Sequence, residues 1–251
     1  MSIDQGPMIR VENLTADYDG TVILDDVSFE VNRGEVFVIL GGSGCGKSTL
    51  LKHMIGLARP AAGRILIDGE DITSAEGADR QRILAKIGVT FQTGALFGSM
   101  TLQENVRLAL EEFTALPRAA ADLVASMKLE LVGLREFGEH TPAELSGGMQ
   151  KRAAIARALA LDPQILFMDE PSAGLDPVTS AELDQLILNL AASLGMTFVI
   201  VTHELPSIHA VADRAIMLGK QARKIIASGK PDQLARDRAN PRVWNFFNRQ
   251  I

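Results

Sequence analysis

The residues most able to do chemistry lie in one run, Gly41-Gly42-Ser43-Gly44-Cys45-Gly46-Lys47-Ser48-Thr49. Gly41 and Gly46 stand at the fixed positions of a phosphate-binding loop, and Lys47-Ser48 closes it. Glycines leave backbone N–H groups free to turn inward on a polyphosphate, and the start of the following helix adds partial positive charge. In that arrangement Lys47 neutralises β- and γ-phosphates while the Ser48 hydroxyl sits on Mg2+. A flexible glycine-serine loop without a ligand is the alternative. The flanks argue against it, because the apolar Val36–Leu40 reads as a buried strand leading in and residues 50–55 as the helix leading out.

Four further groups have types and positions suited to the same chemistry. Gln92 ends the apolar run 87–91, and ligands in open α/β sheets collect at the carboxyl ends of strands. Leu145-Ser146-Gly147-Gly148-Met149-Gln150 puts an N-cap serine and two glycines at a helix start, which makes a second candidate anion site; a hinge or a glycine helix end is the plainer reading. Asp169-Glu170 closes the buried run 165–168. One carboxylate there can bind Mg2+ and the other can take a proton from an attacking water, unless both are merely solvated. His203 ends the run 197–202, whereas His53, His140 and His209 read as structural.

Two side chains carry open alternatives. Tyr18 sits in the turn Asp17-Tyr18-Asp19-Gly20, where its ring either stacks on a purine or covers the core. Cys45 either fills space or, beside a helix N-terminus, forms an ionisable thiol whose alkylation inhibits the protein and against which ATP protects.

The elements needed to position these groups can be followed along the chain. Short strands are expected from 8 to 31, and a strand at 64–69 follows the turn 60–63. A short helix at 79–86 precedes the strand 87–91. Helices at 102–113, 118–128 and 149–161 then form a lobe inserted into an α/β core, and Gly94-Ala95-Leu96-Phe97-Gly98 places apolar residues in a loop that either docks a partner or packs inward. Gly174-Leu175-Asp176-Pro177 turns into a helix at 178–194, which Gly195 ends. Closing strands at 215–218 and 224–227 lead to a tail from Pro231 carrying Trp244, Phe246 and Phe247, which either lock it onto its own domain or contact another subunit.

Composition narrows the partners. A formal charge of −6 and a pI near 5.3 argue against a nucleic-acid binder, which needs a basic face. The single cysteine excludes an internal disulfide and a cysteine zinc cage. No apolar run is long enough to cross a bilayer and the first residues are too polar for a signal peptide, so the chain is expected to remain in the cytoplasm.

Taken in order, Gly41 to Ser48, Gln92, Leu145 to Gln150, Ile165 to Glu170, Gly174 to Asp176 and His203 make the whole chain resemble the ATP-binding subunit of ABC transporters. The resemblance implies a P-loop ATPase core at 8–92 and 163–230 with an N-terminal antiparallel β subdomain, an inserted α-helical subdomain at 93–162 and a tail at 231–251. It implies that Tyr18 stacks on adenine, that Ser48, Asp169 and Gln92 serve Mg2+, that Glu170 is the general base, and that His203 contacts the γ-phosphate. Two copies then pair head to tail, with Ser146 and Gly148 of one capping the γ-phosphate held by Lys47 of the other and Asp176 in the same seam.

Within that family, Phe91-Gln92-Thr93-Gly94-Ala95-Leu96-Phe97 is similar to the ATPases of MCE-type lipid transport systems, including the Mla phospholipid pathway. This implies a permease at the inner membrane, with the chain peripheral on its cytoplasmic face. It also implies a periplasmic MCE protein and a STAS-domain partner. The sequence ends at Ile251, where some of these ATPases carry longer tails that grip the second subunit, so tail exchange is not expected. Two alternatives stay open: an ABC ATPase serving an amino-acid, metal or drug permease, and a soluble ABC ATPase that dimerises on ATP without transport.

Overall fold

The computed structural model describes residues 6–249. Ten strands form two sheets, one of four strands in the order β2-β1-β4-β5 and one of six in the order β10-β9-β3-β8-β7-β6. In the first, β1 (Ile9–Tyr18) and β2 (Thr21–Val31) form one long antiparallel hairpin, with β4 (Ala62–Ile67) and the two-residue β5 (Glu70–Asp71) beyond β1. The short strands expected here are therefore continuous. Register shifts after Val11 and Leu14 absorb the polar residues that make the sequence look broken, with Asn13 and Asp26 at positive φ.

The second sheet is parallel through β3 (Val36–Leu40), β6 (Ile87–Thr90), β7 (Ile165–Asp169), β8 (Thr197–Val201) and β9 (Arg214–Gly219); β10 (Lys224–Gly229) closes its edge antiparallel. Side chains alternate across a strand, so a strand buried on both faces must be apolar throughout. On β3, Val36, Val38 and Leu40 face one core while Phe37 and Ile39 face the other; β7 and β8 divide in the same way. The second core fills the space between the sheets and includes α1 (Lys47–Met54) through Leu50, Leu51 and Met54.

The first core lies under the helices. α3 (Leu102–Phe113), α4 (Arg118–Leu131) and α5 (Gly147–Ala158) pack on one another there, as does α6 (Pro177–Leu194). α2 (Gly77–Leu84) precedes β6. Ser146 caps α5 as its position at a helix start implies, so the helix expected over 149–161 begins with both glycines and ends at Ala158. Three short helices were not anticipated: α7 (Leu205–Val211), α8 (Pro231–Ala235) and α9 (Pro241–Phe247). Each is too short to show a periodic apolar face.

α9 settles the tail. Val243 and Phe247 are buried in the first core, and Phe247 meets the Phe246 and His209 rings edge-on. Phe246 and Phe247 thus lock the tail onto its own domain, with Trp244 half-buried beside them in sequence.

Candidate nucleotide site

The carboxyl ends of β3, β6, β7 and β8 carry the phosphate loop, Gln92, the Asp169-Glu170 pair and His203 respectively. Gly41 leaves β3 at φ +148, where a Cβ would stand 2.4 Å from Cys45 Sγ and 2.8 Å from the Leu218 carbonyl oxygen; only glycine fits. Gly42, Ser43 and Gly44 are exposed at the loop's tip. Gly46 caps α1 with no side chain bonded into the first turn, which leaves the first-turn N–H groups without intrahelical partners. Lys47 Nζ donates to the carbonyl oxygens of Gly41 at 2.8 Å and Gly42 at 3.4 Å, so the ammonium is held on neutral acceptors at the cradle's mouth. Thr49 is half-buried in α1.

Cys45 takes the space-filling reading and corrects the ionisable one. Its side chain is 2% exposed, packed under the loop, and burial pushes the thiol up despite the opposing charge of Lys47. Desolvation of a thiolate outweighs the helix N-terminus here, so this is not a reactive thiol.

Asp169 ends β7 half-buried beside Ser48, and its Oδ1 is buried without a partner. Burial pushes its carboxyl up and the Glu170 charge adds to that, against Lys47, Ser48 and Lys52. Glu170 sits at φ +46, a strained conformation for a residue with a Cβ, and its N–H donates to the Val201 carbonyl oxygen at 2.8 Å. That turn sends its side chain toward β8, where Oε1 is 2.8 Å from His203 Nδ1 while Oε2 is buried without a partner. With Ser172 Oγ, three of the four partnerless buried side-chain polar atoms among the described residues fall within four positions. Buried polar atoms are rarely left unsatisfied, so the cluster marks where ligand atoms belong.

Mg2+ fits this donor set. No three His, Cys, Asp or Glu side chains converge on a metal position among the described residues. Mg2+ needs few protein ligands because it keeps waters and substrate phosphates, and Asp169 Oδ1 beside Ser48 supplies the hard oxygens. Gln92 lies in the exposed turn after β6. Tyr18 stands at the hairpin tip, 51% exposed and outside the core.

The remaining sequence candidates make a second group at the start of α5 and α6. Ser146 is exposed and accepts from the Met149 N–H at 3.3 Å. Gly147 packs beside Leu175, and a Cβ on Gly148 would stand 2.3 Å from Thr179 Cγ2. Gln150 Nε2 donates to the Pro142 and Leu145 carbonyl oxygens, and Asp176 caps α6 through the Val178 and Thr179 N–H groups.

Sequence reasoning passed over Lys151 and Lys220. Lys151 Nζ donates to the Gln92 carbonyl oxygen at 2.5 Å, and Lys220 Nζ lies 3.5 Å from where a Cβ on Gly44 would be. Only Lys151 left a trace in the sequence, as one of three cations, with Arg152 and Arg157, in a helix rich in alanine and glycine.

A parallel sheet with a glycine cradle at its switch point, an antiparallel sheet before it and an inserted helical layer is the fold of a P-loop ATPase of the ABC type. Residues 24–173 match the family model described as ABC transporter, and the chain belongs to that family as an ATP-hydrolysing, ATP-binding subunit. It is 43% identical over 243 residues, 97% of this chain and 69% of the other, to the probable ribonucleotide transport ATP-binding protein mkl of Mycobacterium leprae. It is 40% identical over 227 residues, 90% of this chain and 85% of the other, to the intermembrane phospholipid transport system ATP-binding protein MlaF of Haemophilus influenzae. Among solved structures it is similar to the dimeric post-hydrolysis ATP-binding cassette MJ0796 bound to ADP and Pi, with TM-score 0.80 and 32% identity over 89% of this chain and 99% of that one.

Proposed function

We propose that this chain is the ATPase of a phospholipid-transporting ABC system, peripheral on the cytoplasmic face of the inner membrane and working as a head-to-tail homodimer. ATP enters with its adenine on Tyr18 and its phosphates in the loop 41–49. Lys47 leaves its carbonyl acceptors for the β- and γ-phosphates, as a point charge exchanging a neutral partner for an anionic one. Ser48, Asp169 and Gln92 hold Mg2+, which when bound offsets charge on the phosphate oxygens and orients them. Glu170 accepts the proton of the attacking water through its free Oε2, while His203 fixes the carboxylate through Oε1 and turns its other ring edge to the γ-phosphate.

Ser146, Gly147, Gly148 and Gln150 at the α5 N-terminus, with Asp176, complete the pocket of the second copy. Support comes from the α5 N-terminus itself, where Ser146 and Gly147 are exposed at a helix start suited to an anion. ATP then joins the subunits and hydrolysis releases them, which drives a permease. A periplasmic MCE protein and a STAS-domain protein are further partners; nucleic acid is not. Among the described residues no helix is long and apolar enough to cross a membrane, so transport requires such a permease.

Similarity to MlaF along 90% of the chain, with the loop 91–97 inside it, carries the phospholipid reading. The name of the mkl relative points to a different cargo, ribonucleotides. Reconstitution with the copurifying permease in phospholipid vesicles separates them. The proposal expects ATP-dependent phospholipid transfer abolished by Glu170→Gln; stimulation of ATPase by ribonucleotides with no lipid transfer would overturn it.

A further inference from the structure

One face of α5 grips the segment after Gln92 at three successive points. Lys151 Nζ donates to the Gln92 carbonyl oxygen, the Ala154 methyl packs 3.6 Å from where a Cβ on Gly94 would be, and Arg157 donates to the Ala95 carbonyl oxygen with its guanidinium 5.3 Å from the Phe97 ring centre. Positions 151, 154 and 157 recur at near-helical spacing, so this is a single stripe. Neither cation has a carboxylate within ion-pair distance among the described residues, though the protein forms many such pairs elsewhere. Half-buried cations normally acquire anionic partners, because a carbonyl compensates lost hydration poorly. The arrangement costs stability and holds one loop.

We propose that Lys151 is a positioning residue for hydrolysis, tying the backbone at Gln92 to α5 so that the Gln92 amide is aimed only when the N-terminus of α5 is itself held in place. The inference rests on the reading that Gln92 serves the metal and the attacking water. Its novelty lies in the path. A rigid helix starting at Ser146 carries the loop of its own nucleotide pocket at its second turn, so docking of that helix start on the other copy's nucleotide and aiming of Gln92 become one movement. Lys151 touches neither the phosphate loop nor Tyr18, so it acts on turnover and leaves nucleotide affinity alone.

The test is a double-mutant cycle on the full-length protein, read as steady-state ATPase, nucleotide affinity and thermal stability. Lys151→Met keeps the stem and removes the charge. It is expected to lower kcat about tenfold, the scale of a small misplacement of a reacting group, with KM for ATP unchanged within about twofold. Lys151→Arg retains a donor of similar reach and should recover most of the loss. In a Gln92→Ala background, where the carbonyl remains but the amide is gone, Lys151→Met should lower kcat by less than about twofold while shifting Tm as it does alone. Equal fold losses in both backgrounds would overturn the proposal and leave Gln92 in its role. Unchanged turnover of Gln92→Ala alone would overturn the reading of Gln92 and this inference with it.

Discussion

At the level of single residues, two carboxylates one position apart have been given different surroundings. Asp169 stays in line with β7 and meets Ser48, while Glu170 turns at positive φ to meet His203. Glu170→Gln is expected to bind ATP with near-normal affinity and lower turnover at least about a hundredfold, within the range of general-base losses; a rapid-quench assay reads it. His203→Ala, which releases Oε1 and removes a contact to the γ-phosphate, should lower kcat by a similar order while weakening ATP binding, measured by calorimetry, less than the loss of Lys47 does. Lys47→Ala should instead weaken ATP binding, since its present acceptors are two carbonyls the phosphates would replace. Cys45 should alkylate slowly whether or not ATP is present, as mass spectrometry of maleimide-treated protein can determine. The placement of the phosphate loop and the carboxylate pair at strand ends was legible because fixed spacing with a strand before it leaves little freedom. The state of Cys45 was not, because proximity to a helix N-terminus is visible in sequence and burial is not.

At the level of elements, the junction of α5 with α6 is the tightest contact in the second group of site residues. A methyl on Gly148 meets Thr179 Cγ2 at 2.3 Å, and Thr179 Oγ1 is itself bonded to Asp176 at 2.5 Å. Gly148→Ala should therefore destabilise by about 1–3 kcal/mol, the ordinary range for overpacking. Thr179→Ser removes the offending methyl and keeps the hydroxyl, so the pair should recover stability in urea titrations; no recovery would place the strain elsewhere. Asp184, buried on α6 near Ser207 of α7, gives a pH signature. Burial raises its folded-state pKa above the unfolded value, so the folded protein binds its proton more tightly. Its contribution is then most favourable below the unfolded pKa and is lost as pH rises through the folded one. Asp184→Asn should raise Tm at neutral pH, with the gain vanishing in acid. Helices with capping residues and long apolar faces could be placed from sequence within a few residues. The hairpin β1–β2 could not, because bulges conceal its alternation.

For the whole molecule, the tail and the second copy are the decisive cases. Phe247 belongs to the main core, so Phe247→Ala should cost about 3–5 kcal/mol of stability by denaturant unfolding. With Glu170→Gln and Mg-ATP, light scattering is expected to read twice the monomer mass, and replacing Ser146 and Gly148 together should return it to one. The glycine cradle, the strand-end positions of Gln92, Asp169, Glu170 and His203, and the division into an α/β core with inserted helices were determined by the sequence alone, since each rests on local spacing and strand periodicity. Only the tertiary structure decided that Cys45 is sealed, that Phe246 and Phe247 pack inward and that Lys151 reaches the Gln92 backbone. Those outcomes depend on which distant surfaces meet, and a linear pattern carries no record of the desolvation that follows.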